Sequence, residues 1–147
     1  VKSHSYELEI KKLWPEIKVT GVACPFWVPL VEYNEADSPG ADYFVKKRID
    51  DLMRRDPAID TIILGCTHYP ILMPKIVKYV APGVRIIPQG EYVAGSLQSY
   101  LSRHLDIEQQ ITQGGSCRYL TTENPERFKE SAQVFLHERV DVEHVEL

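Results

Sequence analysis

The sequence predicts an α/β fold: a three-layer α/β/α arrangement around a mostly parallel sheet. Short apolar runs alternate along the chain with longer amphipathic stretches, the pattern of strand–helix–strand units. One run, Thr61-Ile62-Ile63-Leu64, is continuous and bounded by turn residues, as expected for a strand buried on both faces of a parallel sheet. A stretch over 41–53 places Ala41, Phe44, Val45, Ile49, Leu52 and Met53 on one face of a 3.6-period helix.

In chain order, residues 4–13 predict a helix with Leu8, Ile10 and Leu13 toward one side. Pro15 ends it, because proline lacks the N–H that a helix interior needs. Ile17, Val19, Gly21 and Val22 predict a strand running into a loop at Cys24-Pro25. Ser38 can cap the 41–53 helix and Pro39 suits its first position, while Asp56-Pro57 stops it. Gly65 breaks the Thr61–Leu64 strand. A helix over 71–80 follows, with Leu72, Ile76 and Val80 aligned and Pro74 confined to the first turn. Val84, Ile86 and Ile87 predict a strand, and residues 91–104 a helix with Val93, Leu97, Tyr100 and Leu101 inward. The polar stretch 105–115, with Gly114-Gly115, predicts a loop, and residues 117–121 a strand. Asn124-Pro125 opens a helix whose Phe128, Ala132, Phe135 and Leu136 share a face. Val140, Val142 and Val145 close the order αβαβαβαβαβ as an edge strand.

Composition narrows the classes of function. The 147 residues suit one domain or two small ones. With 44% hydrophobic and 26% charged residues, the chain can bury a core and is not of disordered type. The 17 Lys and Arg against 21 Asp and Glu give a net charge of −4 with no basic stripe, which argues against a nucleic-acid surface. No apolar run approaches the roughly 20 residues of a membrane span, and no leader pattern opens the chain. Cysteines 24, 66 and 117 are too few and too scattered for a disulfide scaffold, so a reducing cytosol is expected. The sequence begins at Val1 rather than Met, which fits a processed start or a longer parent.

In open α/β sheets, ligands bind beyond the carboxyl ends of strands. Two predicted strand ends carry unusual residues: Ala23-Cys24-Pro25-Phe26-Trp27-Val28-Pro29-Leu30-Val31-Glu32, and Leu64-Gly65-Cys66-Thr67-His68-Tyr69-Pro70. A thiol at Cys66, just before a helix, is placed to feel the positive end of the helix dipole, which favours thiolate. Thr67 offers a hydroxyl and an N–H to a carboxylate. His68 is of the type that holds or passes a proton near neutrality. The plainer alternative is that Cys66 is a small buried hydrophobe. Cys24, beside Pro25, reads as packing and Cys117 as filler. Glu32 is either a solvated loop end or a group that polarises a histidine. His4, His104, His137 and His144 sit in polar surroundings and read as surface residues. Zinc is disfavoured, because Cys66 and His68 are tightly spaced and no C-x₂₋₄-C pair exists. A redox C-x-x-C, a phosphate-binding glycine loop, G-x-S-x-G and H-E-x-x-H are absent.

Leu64-Gly65-Cys66-Thr67-His68-Tyr69-Pro70 resembles the second cysteine motif of the bacterial glutamate racemases. Ala23-Cys24-Pro25 through Val28-Pro29-Leu30-Val31-Glu32 resembles their stretch ending in an auxiliary glutamate. Val1-Lys2-Ser3 followed by Tyr6 resembles the end of the Thr- and Ser-bearing segment opening their second domain. Arg118-Tyr119-Leu120-Thr121-Thr122 and Phe128 resemble the last strand and helix, so the likeness covers nearly the whole chain.

The resemblance implies an aspartate/glutamate racemase-like fold. Residues 1–88 would be the second domain with the Cys66 motif, and 89–147 a C-terminal segment that returns to a missing first domain. It implies interconversion of L- and D-glutamate by two cysteines on opposite faces of the substrate, with no metal, pyridoxal phosphate or other cofactor. Cys66 would be the acid/base on the L-glutamate face. Thr67 and His68 would contact the substrate, His68 would also assist Cys66, and Glu32 would support His68. The implied role is D-glutamate supply for peptidoglycan, hence cell-wall biogenesis and cell shape, in the bacterial cytoplasm. The implied partners are glutamate and the missing N-terminal half, with a homo-oligomer left open and no nucleic acid or membrane.

The sequence departs from the resembled pattern in three places. It has no Cys-Asn-Thr-Ala type motif bearing a first cysteine, and no Asp-Ser-Gly segment. Pro88-Gln89-Gly90-Glu91 stands where an Asp-Ser or Asp-Thr start is more usual. The chain alone is therefore expected not to racemise glutamate. The inward faces of 89–147, with Val93, Leu97, Phe128 and Phe135, are expected to need another cover: the other half, a second copy or a rearranged packing. Two alternatives stay open. One is a related aspartate or hydantoin racemase, against which Thr67-His68-Tyr69-Pro70 argues. The other is a non-catalytic binding domain of the same fold.

Overall fold

A computed structural model describes residues 3–112 and 114–147. Val1 and Lys2 of the resemblance above, and Gln113 of the predicted loop, lie outside the described residues. The chain divides into two compact units, Val1–Gln89 and Gly90–Leu147.

The first unit contains α1 (Ser5–Leu13), α2 (Trp27–Glu32), α3 (Pro39–Arg55), β1 (Thr61–Leu64), a 3₁₀ turn (Tyr69–Leu72), α4 (Met73–Tyr79) and β2 (Arg85–Pro88). β1 and β2 pair in parallel, from Thr61 opposite Arg85 to Leu64 opposite Pro88. α3 starts as its sequence dictates: the Ser38 side chain accepts from the Ala41 N–H at 3.1 Å and Pro39 occupies the first turn. Its buried residues Ala41, Val45 and Ile49 recur every four residues. Trp27, Val31, Ile62, Leu64, Leu72 and Ile76 complete the core of this unit.

Asp42 ties α3 to α4. Its carboxylate accepts from Lys75 Nζ at 2.6 Å, Lys78 Nζ at 2.9 Å and the Tyr79 hydroxyl at 2.6 Å. The bonds from Lys75, Tyr79 and Lys78 hold the Asp42 carboxyl well below the usual carboxylate range.

The second unit holds α5 from Gly90 on (Gln89–Arg103 in full), α6 (Leu105–Glu108), β3 (Tyr119–Thr121), α7 (Pro125–Leu136) and β4 (Val142–His144). β3 and β4 pair in parallel, with α7 as the crossover. Asn124 caps α7, its side chain accepting from the N–H groups of Glu126 and Arg127 at 2.9 and 3.2 Å. Both ladders among the described residues are thus parallel β–α–β units, the predicted α/β pattern.

Several sequence expectations need correction. Residues 17–22 form no ladder; β1 pairs with β2 alone among the described residues. Side chains hold that segment instead: Lys18 pairs with Asp56 at 2.9 Å, and Arg55 donates to the Gly21 carbonyl at 3.1 Å. The β1 strand is not buried on both faces, for Ile62 and Leu64 are buried but Ile63 is 42% exposed. The run Val28–Val31 belongs to a short helix, α2, in which Trp27 and Val31 share the buried face. The predicted loop 105–115 contains α6, and the strand expected at 117–121 begins at Tyr119. Val93, Leu97 and Tyr100 of α5 are exposed rather than inward, and Leu8 and Leu13 of α1 are exposed as well. No helix among the described residues is long and apolar enough to cross a membrane.

Candidate active site

The site grows from the carboxyl end of β1. After Leu64 and Gly65 the backbone turns back on itself: the Tyr69 N–H donates to the Cys66 carbonyl at 3.2 Å, and the Ile71 N–H to the His68 carbonyl at 3.1 Å. This turn gathers Cys66, Thr67 and His68. The Cys66 thiol lies 3.7 Å from His68 Nδ1, and Thr67 Oγ1 lies 3.4 Å from the same nitrogen. On the other edge of the ring, His68 Nε2 meets Glu32 Oε1 at 2.5 Å. Cys66 and His68 are half-buried, while Thr67 and Glu32 are exposed.

Glu32 arrives from α2, 36 residues away in sequence. Its placement follows from Trp27 on the same helix. The Trp27 indole N–H donates to the Phe44 carbonyl on α3 at 3.3 Å. The indole edge packs on Tyr69, with ring centroids 4.9 Å apart at 72°. Trp27 therefore fixes α2 against both α3 and the residue after His68, which leaves Glu32 facing the imidazole.

The geometry assigns direction to the protons. A carboxylate only accepts, so the contact with Glu32 places the imidazole proton on Nε2. Nδ1 is then an acceptor, and the nearby Cys66 S–H can donate to it. A base oriented by a carboxylate and in reach of a thiol is the arrangement that activates nucleophilic or basic sulfur. The element that follows is a 3₁₀ turn, and α4 starts only at Met73, so Cys66 does not stand at the first turn of an α-helix as the sequence suggested.

The other cysteines differ. Cys24 is half-buried and donates to the Val22 carbonyl at 3.8 Å. Burial pushes its thiol up to about 11, against the opposing pull of Arg48 and a hydrogen bond with Tyr69. The Tyr69 hydroxyl is itself pushed up to about 12, by burial first and then by the Cys24 and Cys66 thiols. Cys24 is therefore a partner of the site's tyrosine as well as packing. Cys117 is exposed. Sequence reasoning gave no role to Trp27 or Tyr69. The spacing of Trp27 and Val31, i and i+4, was the available signal that α2 is a helix. Among the described residues no group of three His, Cys, Asp or Glu side chains is placed to hold a metal ion.

A thiol, an imidazole and a carboxylate in line beyond a parallel strand define an α/β module equipped to move a proton between side chains. In sequence and in fold, the chain is similar to glutamate racemases. It is 38% identical over 148 residues to a glutamate racemase of Streptococcus pyogenes, a match that takes in 100% of this chain and 54% of the relative. A glutamate racemase isoform of Bacillus anthracis superposes with a TM-score of 0.85 at 32% identity, over 99% of this chain and 53% of that one. The glutamate racemase of Francisella tularensis, solved in complex with D-glutamate, gives a TM-score of 0.82 at 26% identity over 99% of this chain and 53% of that one. The chain spans about half the length of the curated relatives it matches. No protein-family model matches it.

Proposed function

We propose that the chain is the C-terminal part of a glutamate racemase, an isomerase, and that Cys66 is one of its two acid/base thiols. The line Cys66–His68–Glu32 is the observation that carries this reading. With its proton passed to His68 Nδ1, the Cys66 thiolate takes the Cα proton of L-glutamate and leaves a planar carbanion. A second thiol, on the opposite face and from the N-terminal half, returns a proton to give D-glutamate. In the reverse direction the Cys66 thiol is the donor. Glu32 stabilises the imidazolium while it holds the extra proton. The Thr67 hydroxyl, exposed beside His68, binds a substrate carboxylate, and the His68 ring contacts the substrate as well. Of the other cysteines in this chain, Cys24 does not suit the opposite face, because burial holds its thiol protonated.

The reading assigns residues 1–88 to the second racemase domain and 89–147 to a segment returning to the first. The exposed Val93, Leu97 and Tyr100 of α5 support a cover from that first domain. The matched relatives are named for glutamate, which favours it over aspartate or a hydantoin. The product would serve peptidoglycan synthesis, and the enzyme would work in the cytoplasm without a cofactor.

Cys66→Ala in the full-length protein tests the proposal by circular dichroism of D- and L-glutamate interconversion. Loss of about 10²–10⁴-fold in turnover is expected for a general acid/base. Activity near wild type would sink the assignment. Cys117→Ala should leave turnover intact. Glu32→Gln, which removes the charge facing His68, should cost about 10–100-fold, the worth of a hydrogen bond to a charged group. The 147-residue chain alone should not racemise glutamate, since it offers an acid/base for one face.

A further inference from the structure

Gly65 stands between the last residue of β1 and Cys66, and its backbone is not left-handed. What it admits is a close approach. A Cβ at residue 65 would lie 3.3 Å from the Tyr6 hydroxyl oxygen and 3.4 Å from Tyr6 Cε2 and Cζ. The Tyr6 ring, from α1, therefore rests on the peptide that leads into Cys66. Gln89 Nε2 donates to the Leu64 carbonyl at 3.1 Å and to the Tyr6 hydroxyl oxygen at 2.5 Å. One amide thus bridges the end of β1 to the ring lying on Gly65. Gln89 directly follows Pro88, the register partner of Leu64, so the sheet itself sets the distance. Tyr6 is 48% exposed, and burial alone does not explain where its ring rests. Gln89 also falls in the stretch where the sequence departs from the resembled racemase pattern, and a carboxylate there could not donate to the Leu64 carbonyl.

We infer that Tyr6 and Gln89 are positioning residues that lock the Leu64–Gly65 peptide and thereby aim the Cys66 thiol at His68, an inference that rests on the acid/base role of Cys66 proposed above. A thiol that must meet both an imidazole and a substrate Cα tolerates little displacement. Misplacement by about 1 Å costs on the order of 10²-fold in such steps.

The test uses the full-length protein with Gln89→Met, which keeps length and removes the donor, and Tyr6→Phe, which keeps the ring and removes the hydroxyl. Alkylation of Cys66 by iodoacetamide is followed across pH, peptide by peptide, with Cys117 as internal control. Glutamate racemisation is measured alongside. The lock predicts a change of about threefold or more in Cys66 alkylation at matched pH, because thiol reactivity follows the local setting of the sulfur. Cys117 alkylation and the thermal midpoint should stay at wild-type values, and kcat should fall about tenfold with KM nearly constant. Unchanged Cys66 alkylation in both variants overturns the lock. Should Gln89→Met fail to fold, Tyr6→Phe decides. Wild-type protein that does not racemise glutamate removes the parent reading, yet the alkylation arm still decides the lock.

Discussion

In the first unit, α3 sets Ala41, Val45 and Ile49 into a core with Trp27, Val31, Leu72 and Ile76, and none of these is more than 3% exposed. α5, nearly as long, carries an equally regular apolar face, yet Val93 is 62%, Leu97 56% and Tyr100 42% exposed. Among the described residues, nine of the ten buried apolar side chains lie in the first unit, and only Val140 lies in the second. An amphipathic helix states which face requires cover. Whether the cover is present depends on residues elsewhere, and the two units differ in that respect. The residues proposed above for the site, Glu32, Cys66, Thr67 and His68, all lie in the unit that has its core.

The largest effect that sharpens this contrast is at Ile76, which is fully buried. Ile76→Ala should destabilise the 147-residue chain by about 2–5 kcal/mol, the usual range for such a truncation in a packed core. Urea unfolding followed by far-UV circular dichroism measures it, and a loss below about 1 kcal/mol would mean the first unit is no better packed than the second.

A smaller effect is expected at the Asp42 link between α3 and α4, and it depends on pH. The folded carboxyl is held below its ordinary value, so its contribution is complete above the unfolded aspartate value of about 3.9 and fades as pH falls below it. Asp42→Asn should therefore lower the urea midpoint at pH 7, and the gap from wild type should narrow on acidification below about pH 4. A gap that is constant, or that widens in acid, contradicts the link.

The smallest effect is expected at Leu97. In the 147-residue chain, Leu97→Ala should change stability by no more than about 0.5 kcal/mol, because the side chain is already exposed. In the full-length protein the same substitution should cost about 2 kcal/mol or more if the N-terminal half covers α5. Equal, small effects in both would leave the α5 face without the proposed cover.

Much of the first unit was legible because its signals are local. Ser38, Pro39 and Asp56 fixed the ends of α3 through capping and proline chemistry acting within a turn or two. Thr61–Leu64 and the Val84–Ile87 region read correctly as strands from their apolar runs. Residues 17–22 misled, because β-branched residues mark a chain that can extend and not a chain that has found a ladder partner. The Val28–Val31 run received no element from the sequence: it is too short to separate a buried strand from one turn of helix, and Trp27 settles it by packing on Tyr69 and bonding to Phe44. The buried alternation of β1, with Ile63 left out, likewise depends on what lies across the sheet.

By itself the sequence determined the alternation of helices and strands, the span of α3, the turn from Gly65 to Pro70, and the types of residue in that turn: a thiol, a hydroxyl and an imidazole. These follow from φ/ψ preference, capping and periodicity, which act over a few neighbouring residues. Only the tertiary structure gave the geometry by which Glu32 meets His68 across 36 residues, a pairing the sequence carried only through a family resemblance, and decided that Tyr6 and Gln89 close on Gly65. Each depends on where segments far apart in the chain come to rest. The forces that bring them together, burial and hydrogen bonding between distant partners, leave no mark on the local sequence.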